Sequence, residues 1–139
     1  MSNNKNRSCE VVLKVPFHDL DPLQMVWHGN YLKYFDIARS ALFVQGGVDL
    51  FDYFKTTNYL FPLTKSSTKY IASLRYLDEF KSIATVVEAQ YKIVIDFEIR
   101  LVKNNQICAR GRSEQVAVRH PDMEIMFEIP GNIRAALGF

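Results

Sequence analysis

Apolar residues run almost unbroken from Val11 to Phe17 and stop at a cluster of acidic and turn-forming residues, Asp19, Asp21 and Pro22, which predicts a short first strand ending in a turn. The spacing then lengthens. Tyr31, Phe35, Ala38 and Leu42, with Tyr34, Ala41 and Gln45 alongside, recur at helical intervals until Gly46 and Gly47 supply a stop. Leu32, Ile37, Phe43 and Val44 put apolar groups nearly all round this helix, as expected of one wrapped by a sheet. A second short helix is expected around Asp49 to Phe54.

From Phe61 the period is two. Thr64, Ser66, Thr68, Tyr70, Ala72, Leu74 and Tyr76 share one face and Lys65, Ser67, Lys69, Ser73 and Arg75 the other, which predicts one long half-buried strand. Val87 to Leu101 alternates against Glu88, Gln90, Lys92, Asp96, Glu98 and Arg100; a strand that long exceeds the usual ~10 residues, so a break is expected near Lys92 to Ile95. Lys103 to Gln106 reads as a hairpin turn and Ile107 to Val118 as the next strand, where Ala109, Gly111 and Ser113 make a run of small groups that lets a helix come close. His120-Pro121-Asp122 is a turn, Met123 to Ile129 a last strand, and Pro130 to Leu137 a helix opened by proline. The sum is an α+β domain, one long helix held against a curled antiparallel sheet, with residues 1–8 as a disordered tail and residues 9–139 as a single domain.

Composition narrows the chemistry. A chain of 139 residues with 48% apolar content can bury a proper core, and a net charge of +2 is too balanced for a nucleic-acid binder. Cys9 and Cys108 fit neither a disulfide framework nor a metal motif; two reduced thiols point to the cytoplasm. The polar start carries no targeting signal, and no run approaches the ~18 apolar residues of a membrane span. Asp19-x-Asp21 lacks the glycine and terminal glutamate of a calcium loop, and His18 with His28 lacks the helical spacing of zinc ligands, so no metal or other cofactor is expected.

Phe17 to Arg39 carries the candidate chemistry. Asp21 stands seven residues before His28, where the first unpaired N–H groups of the long helix gather. A carboxylate beside such donors is the minimum equipment for acyl transfer. Read in isolation, Asp19 and Asp21 are turn formers first, bonding their own backbone as Asp-Pro sequences often do, and the Trp27-His28-Gly29-Asn30 run that follows turns the reading toward chemistry. Asn30 reads as a helix N-cap, Tyr31, Tyr34 and Phe35 as core, and Asp36 with Arg39 as an ion pair or an intersubunit contact.

Asp19-x-Asp21-Pro22, Val26-Trp27-His28-Gly29-Asn30-Tyr31, Asp36-x-x-Arg39, Arg75-Tyr76-Leu77-Asp78 and Ile129-Pro130 together give a chain that resembles the hotdog-fold acyl-CoA thioesterases of the 4-hydroxybenzoyl-CoA thioesterase family, from about Glu10 to Leu137. The resemblance implies a hotdog fold and makes Asp21 the catalytic nucleophile or general base. The backbone N–H near His28 would meet the oxyanion, with the His28 side chain in an auxiliary role. It places Trp27, Gly29, Tyr31 and Lys92 at the substrate, which is an acyl-CoA or acyl carrier protein thioester, and it implies a homodimer or homotetramer. Gln24 stands where many relatives carry glycine, so a different loop path is expected before the helix. Two other readings remain: a hotdog dehydratase of hydroxyacyl thioesters, and a non-catalytic acyl-thioester-binding protein.

Overall fold

A computed structural model describes residues 7–139. Of the tail expected at residues 1–8, residues 1–6 lie outside the described residues, while Ser8 already opens the first strand. In chain order the elements are β1 (Ser8–Lys14), a 3-10 turn (Phe17–Asp19), α1 (Asn30–Gln45), α2 (Leu50–Thr57), β2 (Tyr59–Leu60), β3 (Leu63–Tyr70), β4 (Glu79–Glu88), β5 (Ile93–Leu101), β6 (Ile107–Gln115), β7 (Val118–Arg119), β8 (Glu124–Ile125) and α3 (Gly131–Ala136). Five strands form an antiparallel sheet in the order β1-β4-β5-β6-β3, and β2, β7 and β8 form a small second sheet.

The α+β architecture read from the sequence is the one observed, with α1 across the inner face of the large sheet. Alternate residues of β4 (Phe80, Ser82, Ala84, Val86) and of β5 (Ile95, Phe97, Ile99) are buried there, as period two requires. Phe35 of α1 stacks on Phe97 with ring centroids 4.7 Å apart, Tyr34 meets Phe80 at 4.8 Å, and the Ser82 hydroxyl donates to the Tyr34 carbonyl at 2.9 Å. Each aromatic pair adds ~0.5–1.5 kcal/mol beyond the area it buries. The small-residue run on β6 does what its composition suggests: a Cβ on Gly111 would lie 2.5 Å from the Phe35 ring, so the helix rests where no side chain can stand.

Several expectations need correction. The helix is not covered all round; Leu32, Ile37 and Val44 remain exposed because the sheet covers one side only. The long strand ends at Tyr70, since the backbone beyond it pairs with the loop before α1: Val26 N–H donates to Leu74 O at 2.9 Å, and Met25 bridges Arg75. The alternation assigned from Val87 belongs to two strands whose turn comes earlier, over residues 89–92, and β4 starts back at Glu79. The Ile107–Val118 strand leaves the large sheet after Gln115 to join the small one, and the last strand shrinks to Glu124–Ile125. Strand β3 forms one edge of the large sheet, largely exposed and, among the described residues, paired only with β6.

Candidate active site

The loop from Pro16 to Gly29 is built on Asp19. Its carboxylate is 3% exposed; Oδ1 accepts from Lys33 Nζ at 2.7 Å and Oδ2 from the Tyr34 hydroxyl at 2.6 Å. Its carbonyl accepts from Trp27 N–H and from Asn30 Nδ2, both at 2.9 Å. Three of these bonds tie one residue to the first turns of α1, and the fourth ties it to Trp27 in the same loop. Burial pushes the Asp19 carboxyl up, but the bonds from Lys33 and Tyr34 and the Lys33 charge outweigh it, so the group stays below the usual carboxylate range. The same contact, added to burial, raises the Tyr34 hydroxyl well above its ordinary value. Asn30 is not the N-cap: Gly29 holds that position, Asn30 is the first helical residue, and its amide is spent on Asp19.

Asp21 closes the next turn. Its N–H donates to Met25 O at 2.9 Å, and Gln24 N–H donates back to Asp21 O at 2.9 Å. Its Oδ1 accepts from Leu23 N–H at 2.9 Å and from Met25 N–H at 3.4 Å, and no donor among the described residues reaches Oδ2. The turn-forming and chemical readings of Asp21 thus describe two oxygens of one carboxylate. Gln24 sits at φ 64°, in the left-handed region that glycine enters freely and a side chain enters at a cost of ~1 kcal/mol.

The N–H groups of His28 and Gly29 bond to no acceptor among the described residues, and they lie at the positive end of α1. The Trp27 ring lies over Gly29, where a Cβ would fall 2.2 Å from it. A cavity of about 340 Å³ brings together Asp21, His28 and Tyr31, three of the residues named from the sequence, with Met25, Val26 and Tyr70 among its other walls. Tyr31 is fixed through its hydroxyl, which accepts from Leu74 N–H at 3.4 Å. Trp27 and Gly29 shape the helix start without lining this cavity. Lys92 is not among its walls either; its ammonium pairs with Glu114 Oε1 at 2.9 Å.

Tyr70 was missed in the sequence, where it is one aromatic in a long alternation. Its hydroxyl donates to the His28 carbonyl at 3.2 Å and its ring meets the Tyr31 ring edge-on at 5.2 Å, holding the edge strand against the helix start. Asp36 and Arg39 do form an ion pair within the chain, and the buried Arg39 guanidinium also donates to Ser113 Oγ at 2.8 Å. Among the described residues no group of three or more His, Cys, Asp or Glu side chains is placed to hold a metal ion.

The chain as a whole is similar to known proteins. The esterase sll0410 of Synechocystis sp. is 26% identical over 123 residues, covering 87% of this chain and 73% of that protein. The solved structure of a 1,4-dihydroxy-2-naphthoyl-CoA thioesterase from Synechocystis superposes with a TM-score of 0.87 at 18% identity, covering 94% of this chain and 95% of that one. The 4-hydroxybenzoyl-CoA thioesterase of Pseudomonas sp. strain CBS-3 gives a TM-score of 0.84 at 18% identity, over 94% of this chain and 99% of that one. Residues 15–137 match the sequence profile of the thioesterase-like superfamily, and the chain belongs to that superfamily, a thioester hydrolase on the hotdog fold.

Proposed function

We propose that the chain hydrolyses an acyl-CoA thioester with Asp21 as nucleophile or general base and the N–H groups at His28 and Gly29 as oxyanion donors. The observation that carries this reading is the shared cavity: a carboxylate whose second oxygen meets no donor among the described residues lines the same 340 Å³ space as His28, whose amide, like that of Gly29 beside it, donates to no acceptor among the described residues. As nucleophile, Asp21 Oδ2 adds to the thioester carbonyl, the thiolate leaves and takes a proton, and water cleaves the resulting mixed anhydride. As base, it removes a proton from the water that attacks. In both routes negative charge builds on the carbonyl oxygen, where one amide donor is worth ~3 kcal/mol of barrier.

The names of the structural neighbours, which act on dihydroxynaphthoyl-CoA and hydroxybenzoyl-CoA, support an aryl or other apolar acyl group, and so do Met25, Val26, Tyr31 and Tyr70 around the cavity. The open edge of β3 favours assembly of two or four copies, because a long unpaired edge strand is a template for another strand. No helix among the described residues is long and apolar enough to cross a membrane, and the two free thiols favour a reducing compartment, which we take to be the cytoplasm.

The test is Asp21→Asn assayed on benzoyl-CoA with a thiol-trapping dye, beside a thermal melt of each protein. Thiol release should drop by at least ~100-fold while folding and assembly persist. Equal rates in the two proteins refute the assignment. With a 3-hydroxyacyl-CoA as substrate, loss of water to give a product with a new double bond, with no thiol freed, would select the dehydratase instead.

A further inference from the structure

A peptide unit has two polar ends, and in the amide that joins His28 to Gly29 they are treated differently. The N–H of Gly29 bonds to no acceptor among the described residues and is one of the two proposed oxyanion donors. The carbonyl of His28 is held twice, by Tyr31 N–H at 3.3 Å and by the Tyr70 hydroxyl at 3.2 Å. The first bond belongs to the helix start itself, whereas the second comes from the sheet. Because the amide is planar, fixing the direction of its carbonyl also fixes the direction of its N–H.

Tyr70 has a firm base from which to set that direction. It ends β3, and just beyond it the N–H groups of Ile71 and Ala72 both donate to the Cys108 carbonyl, at 2.9 and 3.0 Å, which ties the strand end to β6. Its ring meets the Tyr31 ring edge-on at 5.2 Å and the His28 ring edge-on at 6.2 Å. Among the described residues, every hydrogen bond or ring contact that His28 makes beyond its own loop and helix goes to Tyr70. The Tyr70 side chain is half exposed, but its one donor proton is spent on this carbonyl.

We propose that Tyr70 is a positioning residue for thioester hydrolysis: its hydroxyl, fixed to the sheet, aims the His28–Gly29 peptide so that the amides at the start of α1 meet the oxyanion that forms beside Asp21. The inference rests on the thioesterase reading above and adds to it a hydroxyl that acts only through the backbone. Orientation is the larger part of its action, because a donor lowers the barrier only where charge develops in the transition state. Polarisation is the smaller part: a bond accepted by the carbonyl strengthens the N–H of the same amide as a donor, by ~10–30%. A water in place of the hydroxyl satisfies the carbonyl without tying it to β3, so the aim is lost. The ring of Tyr70 remains a wall of the cavity, which separates the two halves of the side chain into one that serves binding and one that serves turnover.

The experiment compares the wild type with Tyr70→Phe, which keeps the ring and removes the hydroxyl, on benzoyl-CoA with the thiol-trapping dye and a thermal melt of each protein. With folding unchanged, kcat should fall about tenfold while KM stays within about twofold, as when an interaction made in the transition state is weakened. A second readout is infrared difference spectroscopy of benzoyl-CoA, isotopically labelled at its carbonyl carbon and bound to Asp21→Asn with and without Tyr70→Phe. The thioester carbonyl band should move to higher frequency in the double variant, because misaligned donors polarise it less. Turnover that Tyr70→Phe leaves at the wild-type rate overturns the proposal and spares the thioesterase reading. So does a rise in KM alone, which makes Tyr70 a binding contact, or a fall in kcat with the band unmoved, which places its effect away from the carbonyl. If the wild type releases no thiol, the thioesterase reading fails and this proposal falls with it.

Discussion

Replacing Asp19 by Asn preserves the side chain's shape and removes its charge, which tests the idea that this buried carboxylate fastens the loop that carries Asp21 to α1. The Tyr34 hydroxyl loses a charge-assisted bond inside the protein, worth ~1.5–3 kcal/mol. The Lys33 pair adds less than ~1 kcal/mol, because the lysine is 47% exposed and water screens it. The expected loss is thus ~2–4 kcal/mol, or ~6–12 °C in Tm for a chain of this size. Its pH dependence has a definite sign. The folded-state carboxyl lies below its unfolded value, so the stabilisation is complete above the unfolded value of ~3.9 and disappears as pH falls through the folded one. Urea titrations of both proteins at pH 7, 5 and 3, at equal protein concentration, measure the gap. A difference under ~0.5 kcal/mol at neutral pH, or one that does not shrink in acid, would refute the reasoning.

Gln24→Gly should stabilise the fold by up to ~0.5 kcal/mol, since relief of the left-handed backbone (~1 kcal/mol) exceeds the added freedom of the unfolded chain (~0.5–1 kcal/mol); a lower Tm in the variant would contradict this. The purified chain should sediment as a dimer or tetramer at micromolar concentration, and a monodisperse monomer would show that the β3 edge is tolerated unpaired.

The long helix was legible because nothing competes with its signal: Tyr31, Phe35, Ala38 and Leu42 keep one face and two glycines end it. The short helix was legible from Asp49, whose carboxylate accepts from the N–H groups of Phe51 and Asp52 as an N-cap should. The start of β4 was not legible, because its buried face includes Ser82, whose hydroxyl finds the Tyr34 carbonyl and so reads as polar while sitting in the core. At the site, the carboxylate at 21 and the helix that begins just after His28 follow from local order in the chain. The burial of Asp19 does not, because the lysine and tyrosine that compensate it come from the helix, and an aspartate in a turn ordinarily faces water. Tyr70 escaped for a related reason: its partners, His28 and Tyr31, belong to another element, and only the packing of β3 against the helix start unites them.

The missing side chain at Gly111 governs events at a distance. The Phe35 ring settles into the space a methyl group would fill, and this contact sets the stand-off between helix and sheet. The amides at His28 and Gly29 ride on the same rigid rod two turns away, while Asp21 is anchored through Met25 and Val26 to the backbone around Leu74 and Arg75. A bulkier residue at 111 would lift the rod but not that anchor, changing the gap between the Asp21 carboxylate and the proposed oxyanion donors without touching either. Alignment of the groups proposed to react is therefore gauged by an empty place in a strand that lines neither of them.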